Sequence, residues 1–226
     1  MTSTGVSVVT TTWNEKNNIE KLIPAIRGAL QFTPHEIIVV DDNSLDGTIH
    51  VAKRLADVAI SKTREGQTKG LLYGMRLAKY PVIITIDADL ENDPMLIPEL
   101  VRQASNFDVV VASRTQIPRW SEKLASKTLG KLFNVTDSFS NYRAYKKEVI
   151  SKFILEGGET FGAEFLVIAE KNHLRIGEIK YEPPPRRKNP RIGGTFKANM
   201  RIFWALVKSL AIFFDIVQFT LPNQFS

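Results

Sequence analysis

The chain has no cysteine. That excludes a disulfide framework and any metal site built on thiolates, and leaves the compartment open. It has three histidines, His35, His50 and His173, with no ligand spacing between them, so they are expected at the surface or hydrogen-bonded rather than on a metal. No glycine-rich turn follows the first strand-like run, which counts against a dinucleotide fold. No phosphate loop with Gly-Lys-Ser/Thr occurs, and Lys69-Gly70 is a lone pair without that spacing. Residues Met1 to Gly5 carry neither a basic region nor an apolar core, so no secretory signal is expected.

What is present is enough for one substantial core. The chain has 226 residues, 43% of them hydrophobic and 24% charged, as in ordinary globular proteins. The formal charge of +6 is unevenly placed. From Ile179 onward eight basic residues face two acidic ones, so the last fifth holds the whole excess. Such a segment suits an anionic partner (phosphate, nucleic acid or a lipid surface), or it is a solvated charged face.

The most informative stretch runs from Val82 to Glu91. Val82, Ile83, Ile84 and Ile86 are apolar and β-branched with no alternating polar face, which predicts a buried, parallel strand. Asp87, Asp89 and Glu91 follow at every second position, on one side of an extended chain. Three such acids repel one another unless a positive charge sits among them. A hard divalent cation with oxygen ligands, arriving with phosphates, is one answer; a solvated cap for the next helix, starting at Asp93-Pro94, is the other.

Around that stretch strands and helices alternate. Val6–Thr10, Glu36–Val40, Val58–Ile60 and Val109–Ala112 read as further strands. Helical spacing appears at Ile19 to Leu30, at Val51 to Leu55, at Leu71 to Leu77 and at Ile97 to Val101. The pattern predicts βαβ units and a mostly parallel sheet, with ligands at the carboxyl ends of its strands. Later, Gln116 to Lys131 is loosely helical, residues 135–145 form a loop entering a short strand, Phe161 to Asn172 is helical and Arg175 to Tyr181 is a strand. A last helix is expected from Met200 to Phe219, capped by Thr195 or Asn199. Lys208 and Asp215 interrupt its apolar run, and a central charge costs ~2.5–3.5 kcal/mol in a membrane span. Trp204 and several Phe with Arg201 and Lys208 suit a helix lying at a membrane surface; a core-packed terminal helix is the alternative.

Five blocks, in order, resemble family-2 inverting glycosyltransferases of the A-type fold, and more narrowly the dolichol-phosphate mannose synthases and related polyprenyl-phosphate sugar synthases. They are Thr11-Thr12-Trp13-Asn14-Glu15, Glu36 through Thr48 with its Asp41-Asp42-Asn43-Ser44, Ile86-Asp87-Ala88-Asp89-Leu90, Asp137 through Tyr145, and Arg191 through Lys197. The resemblance implies an α/β fold, a mostly parallel twisted sheet flanked by helices, with a catalytic domain over 1–198 and an amphipathic membrane-interface helix over 199–226. It implies that Thr11, Trp13, Glu15, Val40 and Asp42, with Asp87 and Ala88, hold the nucleotide. Asp89 and Glu91 would bind Mg²⁺ or Mn²⁺ against the donor diphosphate, and Arg114, Arg191 and Lys197 would hold the diphosphate and an acceptor phosphate.

The chain departs from the family in having Thr11 and Trp13 for Pro and Tyr, Asn141 for Gly, and Glu91 for Gln or Ser. The first pair leaves the base unspecified. The last makes the metal site more negative, which favours a divalent ion.

The expected reaction moves a hexose, mannose from GDP-mannose for preference, to dolichyl or polyprenyl phosphate at the cytoplasmic face of a membrane. The chain would be peripheral or tail-anchored, held by the last helix, by an anchoring subunit or by a further transmembrane segment. No nucleic-acid partner is expected, since acids at the strand ends repel a polyanion. A phosphate monoester is already an anion and needs no strong base. A hydroxyl acceptor, or transfer from UDP-glucose, is the alternative. For a hydroxyl acceptor Asp137 is the candidate base; otherwise it is a structural acid orienting Arg143 or its loop.

Overall fold

In a computed structural model of the chain, residues 4–117, 119–155, 158–184 and 195–214 are described, without the side chains of Thr195 and Lys197. Five strands alternate with helices as the pattern predicts: β1 (Val6–Thr12), α1 (Lys16–Ala29), β2 (His35–Asp41), α2 (Thr48–Leu55), β3 (Val58–Ser61), α3 (Gln67–Leu77), β4 (Val82–Thr85), α4 (Ile97–Gln103) and β5 (Val109–Arg114). The second half adds α5 (Trp120–Lys127), α6 (Leu129–Phe133), β6 (Arg143–Lys146), α7 (Ala163–Lys171), β7 (Ile176–Tyr181) and α8 (Thr195–Phe213).

The seven strands form one sheet in the order β3-β2-β1-β4-β6-β5-β7. All neighbours are parallel except β6, which runs antiparallel to both β4 and β5. Alternation along the strands divides the core between two faces. Val9, Ile38, Ile83, Val109 and Val111 pack with α3 and with α5 to α8. Val8, Ile37, Val39, Ile84 and Val110 pack on the other face with α1, α2 and α4. Both faces are covered, which is why β4 and β5 are apolar runs and not alternating ones. Each fully buried Ile or Val contributes roughly 1.5–3 kcal/mol relative to exposure.

Two expectations are corrected. Strand β4 stops at Thr85, not Ile86, and the chain turns, with Leu90 in the left-handed region at φ +65°. The three acids are therefore gathered by a turn and not by strand alternation; Asp89 accepts the backbone N–H of Glu91 at 3.0 Å, a local bond that competes with extension. The last helix begins at Thr195, five residues before Met200, and Asn199 lies inside it. Its Oδ1 accepts from Ser121 Oγ at 2.7 Å, so Asn199 joins α8 to α5 from within the helix and does not start it.

Helix α8 buries Ala198, Ile202, Ala205, Leu206 and Ser209 in the core and leaves Phe196, Trp204 and Phe214 exposed. It is core-packed along one side and aromatic along part of the other. Among the described residues no helix is long and apolar enough to cross a membrane.

Candidate active site

The carboxyl ends of β1 and β2 are laced together by side chains of the acidic block. Asp41 accepts from Thr12 Oγ1 and from the Ser44 backbone N–H, both at 2.8 Å. Asp46 accepts from the Thr48 N–H at 3.0 Å and from the Lys16 N–H at 3.1 Å, so one carboxylate serves the first turns of both α1 and α2. Ser44 and Thr48 accept the backbone N–H groups of Asn14 and Glu15. Much of this block is thus fastening.

The residues expected to hold a nucleotide lie around it. Trp13 is half exposed, and the Arg64 guanidinium sits 3.6 Å from its ring centre. Asp42 accepts from Lys62 Nζ at 2.5 Å and from the Gly66 N–H at 2.9 Å. Glu15 is buried and accepts from Asn18. The Thr11 methyl lies against Gly70, where a Cβ would come within 2.8 Å of it, so glycine lets α3 approach β1. The Val40 side chain is in the core beside Gly74, so what Val40 offers the cleft is backbone.

A cavity of about 150 Å³ opens at the ends of β4 and β5. It brings together Asp87, Asp89, Glu91, Arg114, Arg119 and Glu122 with the apolar Phe139, Phe161 and Ile202, and Gln67 and Asn141 also line it. Ala88 is buried beneath. Tyr142 Oη donates to the Asp93 carbonyl at 2.8 Å and Tyr181 Oη to Asn92 Oδ1 at 2.6 Å, which fixes the acidic turn over the sheet. Burial and the charge of Asp89 push the Asp87 carboxyl up to about 7, against the pull of Arg114 and a hydrogen bond from Gln67. Gln67 in turn opens α3, where Glu159 accepts from Thr68 Oγ1 and from the Phe161 N–H. Gly162, at φ +78°, lies directly against Asn141: a Cβ there would overlap Asn141 Oδ1, so a side chain at 162 has no room.

Across the cavity, Arg114 Nε donates to Asp137 Oδ2 at 2.6 Å, and its Nη2 lies 3.4 Å from Glu122 Oε2. Glu122 also pairs with Arg119 at 3.1 Å. Burial works against the Arg114 charge, but Asp137 and Glu122 more than offset it and hold its pKa above the ordinary value. Asp137 does not orient Arg143. That guanidinium is fully buried and donates to the carbonyls of Gly162 at 2.8 Å and Ser138 at 2.9 Å. Arg143 therefore ties two cavity loops to β6.

The acidic turn suits a hard cation. Its donors are carboxylate oxygens, it faces the cavity, and like charges crowd there. Among the described residues no cluster of three or more acidic or histidine side chains forms a cage. Mg²⁺ and Mn²⁺ in nucleotide sites need none, since one or two carboxylates plus phosphate and water suffice. Arg191 and the side chain of Lys197 lie outside the described residues, as do Arg186, Arg187 and Lys188.

The sequence reading missed Lys62, Arg64, Gln67, Arg119, Glu122, Phe139, Phe161 and Ile202. The one signal for Arg119 and Glu122 was their opposite charge three residues apart, which any solvated helix also shows.

Comparison with known proteins gives the family and the fold. Residues 7–157 match the family Glycosyl transferase family 2. The chain is 33% identical over 185 residues to a dolichol-phosphate mannosyltransferase from Pyrococcus furiosus, covering 73% of this chain and 51% of that one. It is 31% identical over 166 residues to an undecaprenyl-phosphate 4-deoxy-4-formamido-L-arabinose transferase from Aeromonas hydrophila, covering 66% of this chain and 51% of that one. The chain thus spans about half the length of these relatives. Its fold resembles that of glucosyl-3-phosphoglycerate synthase from Mycobacterium tuberculosis solved with phosphoglyceric acid, with a TM-score of 0.75 at 20% identity over 91% of this chain and 80% of that one. The same enzyme solved with Mn²⁺, uridine diphosphate and glucosyl-3-phosphoglycerate gives 0.74 at 19% identity over the same shares. The architecture is the A-type glycosyltransferase fold.

Proposed function

The chain belongs to glycosyl transferase family 2, and on that footing we propose that it transfers a hexose, with inversion, from a nucleotide sugar to a polyprenyl phosphate at a membrane surface. One observation carries the reading: a single cavity at the strand ends sets the acids of the β4 turn against Arg114 and Arg119. A diphosphate needs a cation on one side, and an incoming phosphate needs guanidinium on the other.

In this reading Thr11, Trp13, Glu15 and Asp42 hold the base and ribose, with the backbone of Val40 and Ala88. Asp89 and Glu91 hold Mg²⁺ or Mn²⁺, which when bound supplies Lewis-acid charge to the leaving diphosphate. Arg114 binds the phosphate that attacks and so brings two anions within reach of each other. Asp137, 1% exposed and bonded to Arg114, keeps that guanidinium aimed and does not line the cavity where a hydroxyl would arrive. That favours a phosphate acceptor over a hydroxyl one. Arg191 and Lys197 supply further positive charge. The exposed aromatic residues Phe196 and Trp204 of α8, with Phe214 just after it, rest on the lipid surface. Mannose is the favoured sugar, since the relative in Pyrococcus furiosus is named for mannosyl transfer, and GDP-mannose is the donor that the resemblance implies.

The test is incubation of radiolabelled GDP-mannose or UDP-glucose with polyprenyl phosphate in vesicles and Mg²⁺ or Mn²⁺. Label passing into lipid with the wild type and not with Asp89→Ala is the expected result. No labelled lipid from any common donor would reject the reading.

A further inference from the structure

Glu122 is buried, with a side chain only 5% exposed, yet it is not enclosed by its own helix. It reaches into the cavity and lies between two guanidinium groups, 3.4 Å from Arg114 Nη2 and 3.1 Å from Arg119 Nη1. A carboxylate between two arginine forks occupies the place that a phosphate monoester would take between the same forks, because both anions offer oxygens to paired N–H donors.

The wall is rigid. Asn199 of α8 accepts from Ser121, the residue before Glu122, and Ile202 of α8 lines the same cavity. In the sheet order, Arg114 ends β5, whereas Thr11 lies near the end of β1 and Trp13 and Asp42 follow β1 and β2, on the other side of β4.

We infer that Arg114 and Arg119 form the anion subsite for the acceptor phosphate, and that Glu122 is its resident counter-anion, which an arriving phosphate must displace from the two guanidinium groups. This rests on the transfer reading above and adds to it a second arginine and a carboxylate that lowers acceptor affinity. With no ligand, Glu122 and Asp137 together balance two arginines whose side chains are 17% and 15% exposed, and Glu122 is the acid shared by both. With a phosphate present, the carboxylate and the phosphate compete for the same donors, and like charges side by side oppose binding. The arrangement favours ligands carrying more charge than one carboxylate. It therefore admits a phosphate monoester and excludes a neutral hydroxyl.

The experiment is isothermal titration calorimetry of inorganic phosphate into the full chain, with Mg²⁺, in the presence and absence of saturating GDP or UDP. Wild type, Glu122→Gln and Arg119→Gln are compared, with melting temperatures taken alongside. Glu122→Gln is expected to bind phosphate about tenfold more tightly and Arg119→Gln about tenfold more weakly, a shift of about 1.4 kcal/mol each way. Neither affinity should fall when nucleotide is present. A Glu122→Gln protein that melts earlier but binds phosphate no better overturns the inference, because that is the signature of a purely structural ion pair. So does competition between nucleotide and phosphate, which would put the anion in the donor's place. If Glu122→Gln does not fold, Arg119→Gln decides alone: unchanged phosphate affinity rejects the subsite. Phosphate affinities that follow the substitutions while no lipid-linked sugar forms keep the subsite and reject the transfer reading. Lipid-linked sugar with unmoved phosphate affinities does the reverse.

Discussion

Strand β5 carries an ion cluster at each end, and the two have opposite sign. At its start Asp108 accepts from Lys146 Nζ at 2.9 Å and from Arg175, through the backbone N–H at 2.9 Å and Nη2 at 3.2 Å. That is one acid between two bases, with the Arg175 side chain 61% exposed. At its end Arg114, one base, lies between Asp137 and Glu122, and both acids are buried. The first cluster can keep its imbalance because water solvates it. The second cannot, and the fold brings Arg119 to its outer side, which balances the two acids; the acidic turn of β4 lines the same cavity and is a separate excess of negative charge. Charge held where water is scarce is tuned by other charges, which is how a site differs from a clasp.

The largest effect should come from the acidic turn. Asp89→Asn is expected to lower the rate of transfer by roughly 10³-fold, the scale of removing one preorganised electrostatic partner of the leaving group. Its melting temperature should hold or rise, since one of the like charges crowding Asp87 is gone. A protein that lost stability and kept its rate would break the contrast between the two ends. Arg114→Gln comes next and should lose both. The rate should fall about 10²-fold through lost phosphate binding. Stability should fall by roughly 3 kcal/mol, because Asp137 and Glu122 are left buried without their shared base.

How much of this was legible in the sequence differs between the two ends. The acids after β4 and the Asp41-Asp42 block stood out because they lie within a few residues of one another and next to β-branched strands; the turn that gathers the three acids did not, since their spacing alone suggested an extended chain. The parallel sheet followed from the alternation of elements. The sense of β6 did not: a four-residue strand entered from a loop carries no residue signal for parallel or antiparallel pairing, and its register against β4 and β5 is a property of the whole sheet. Glu122, Arg119 and Ile202 were illegible for a related reason. They sit on, or just before, helices whose sequence shows which side is apolar, and not which strand end that side meets. Asp108 drew no attention either, although its partners Lys146 and Arg175 are also charged. They lie 38 and 67 residues away, and no local spacing joins them.

The smallest effect, and the sharpest contrast, belongs to Asp108. Burial works against its charge, but Arg175 and Lys146 outweigh that and hold the carboxyl well below the usual range. A depressed folded pKa adds stability that is full above the unfolded value, near 3.8, and is lost as pH falls through the folded one. Asp108→Asn should therefore cost about 1–2 kcal/mol at pH 7, the worth of charge-assisted bonds at a partly exposed site. Denaturant melts at several pH values check this: the gap to wild type should stay constant down to about pH 4 and close below it. The rate of transfer at saturating substrates should not change, because among the described residues Asp108, Lys146 and Arg175 do not line the cavity. A gap that ignored pH would mean that Asp108 acts through its neutral hydrogen bonds, and the two clusters would then differ in kind as well as in sign.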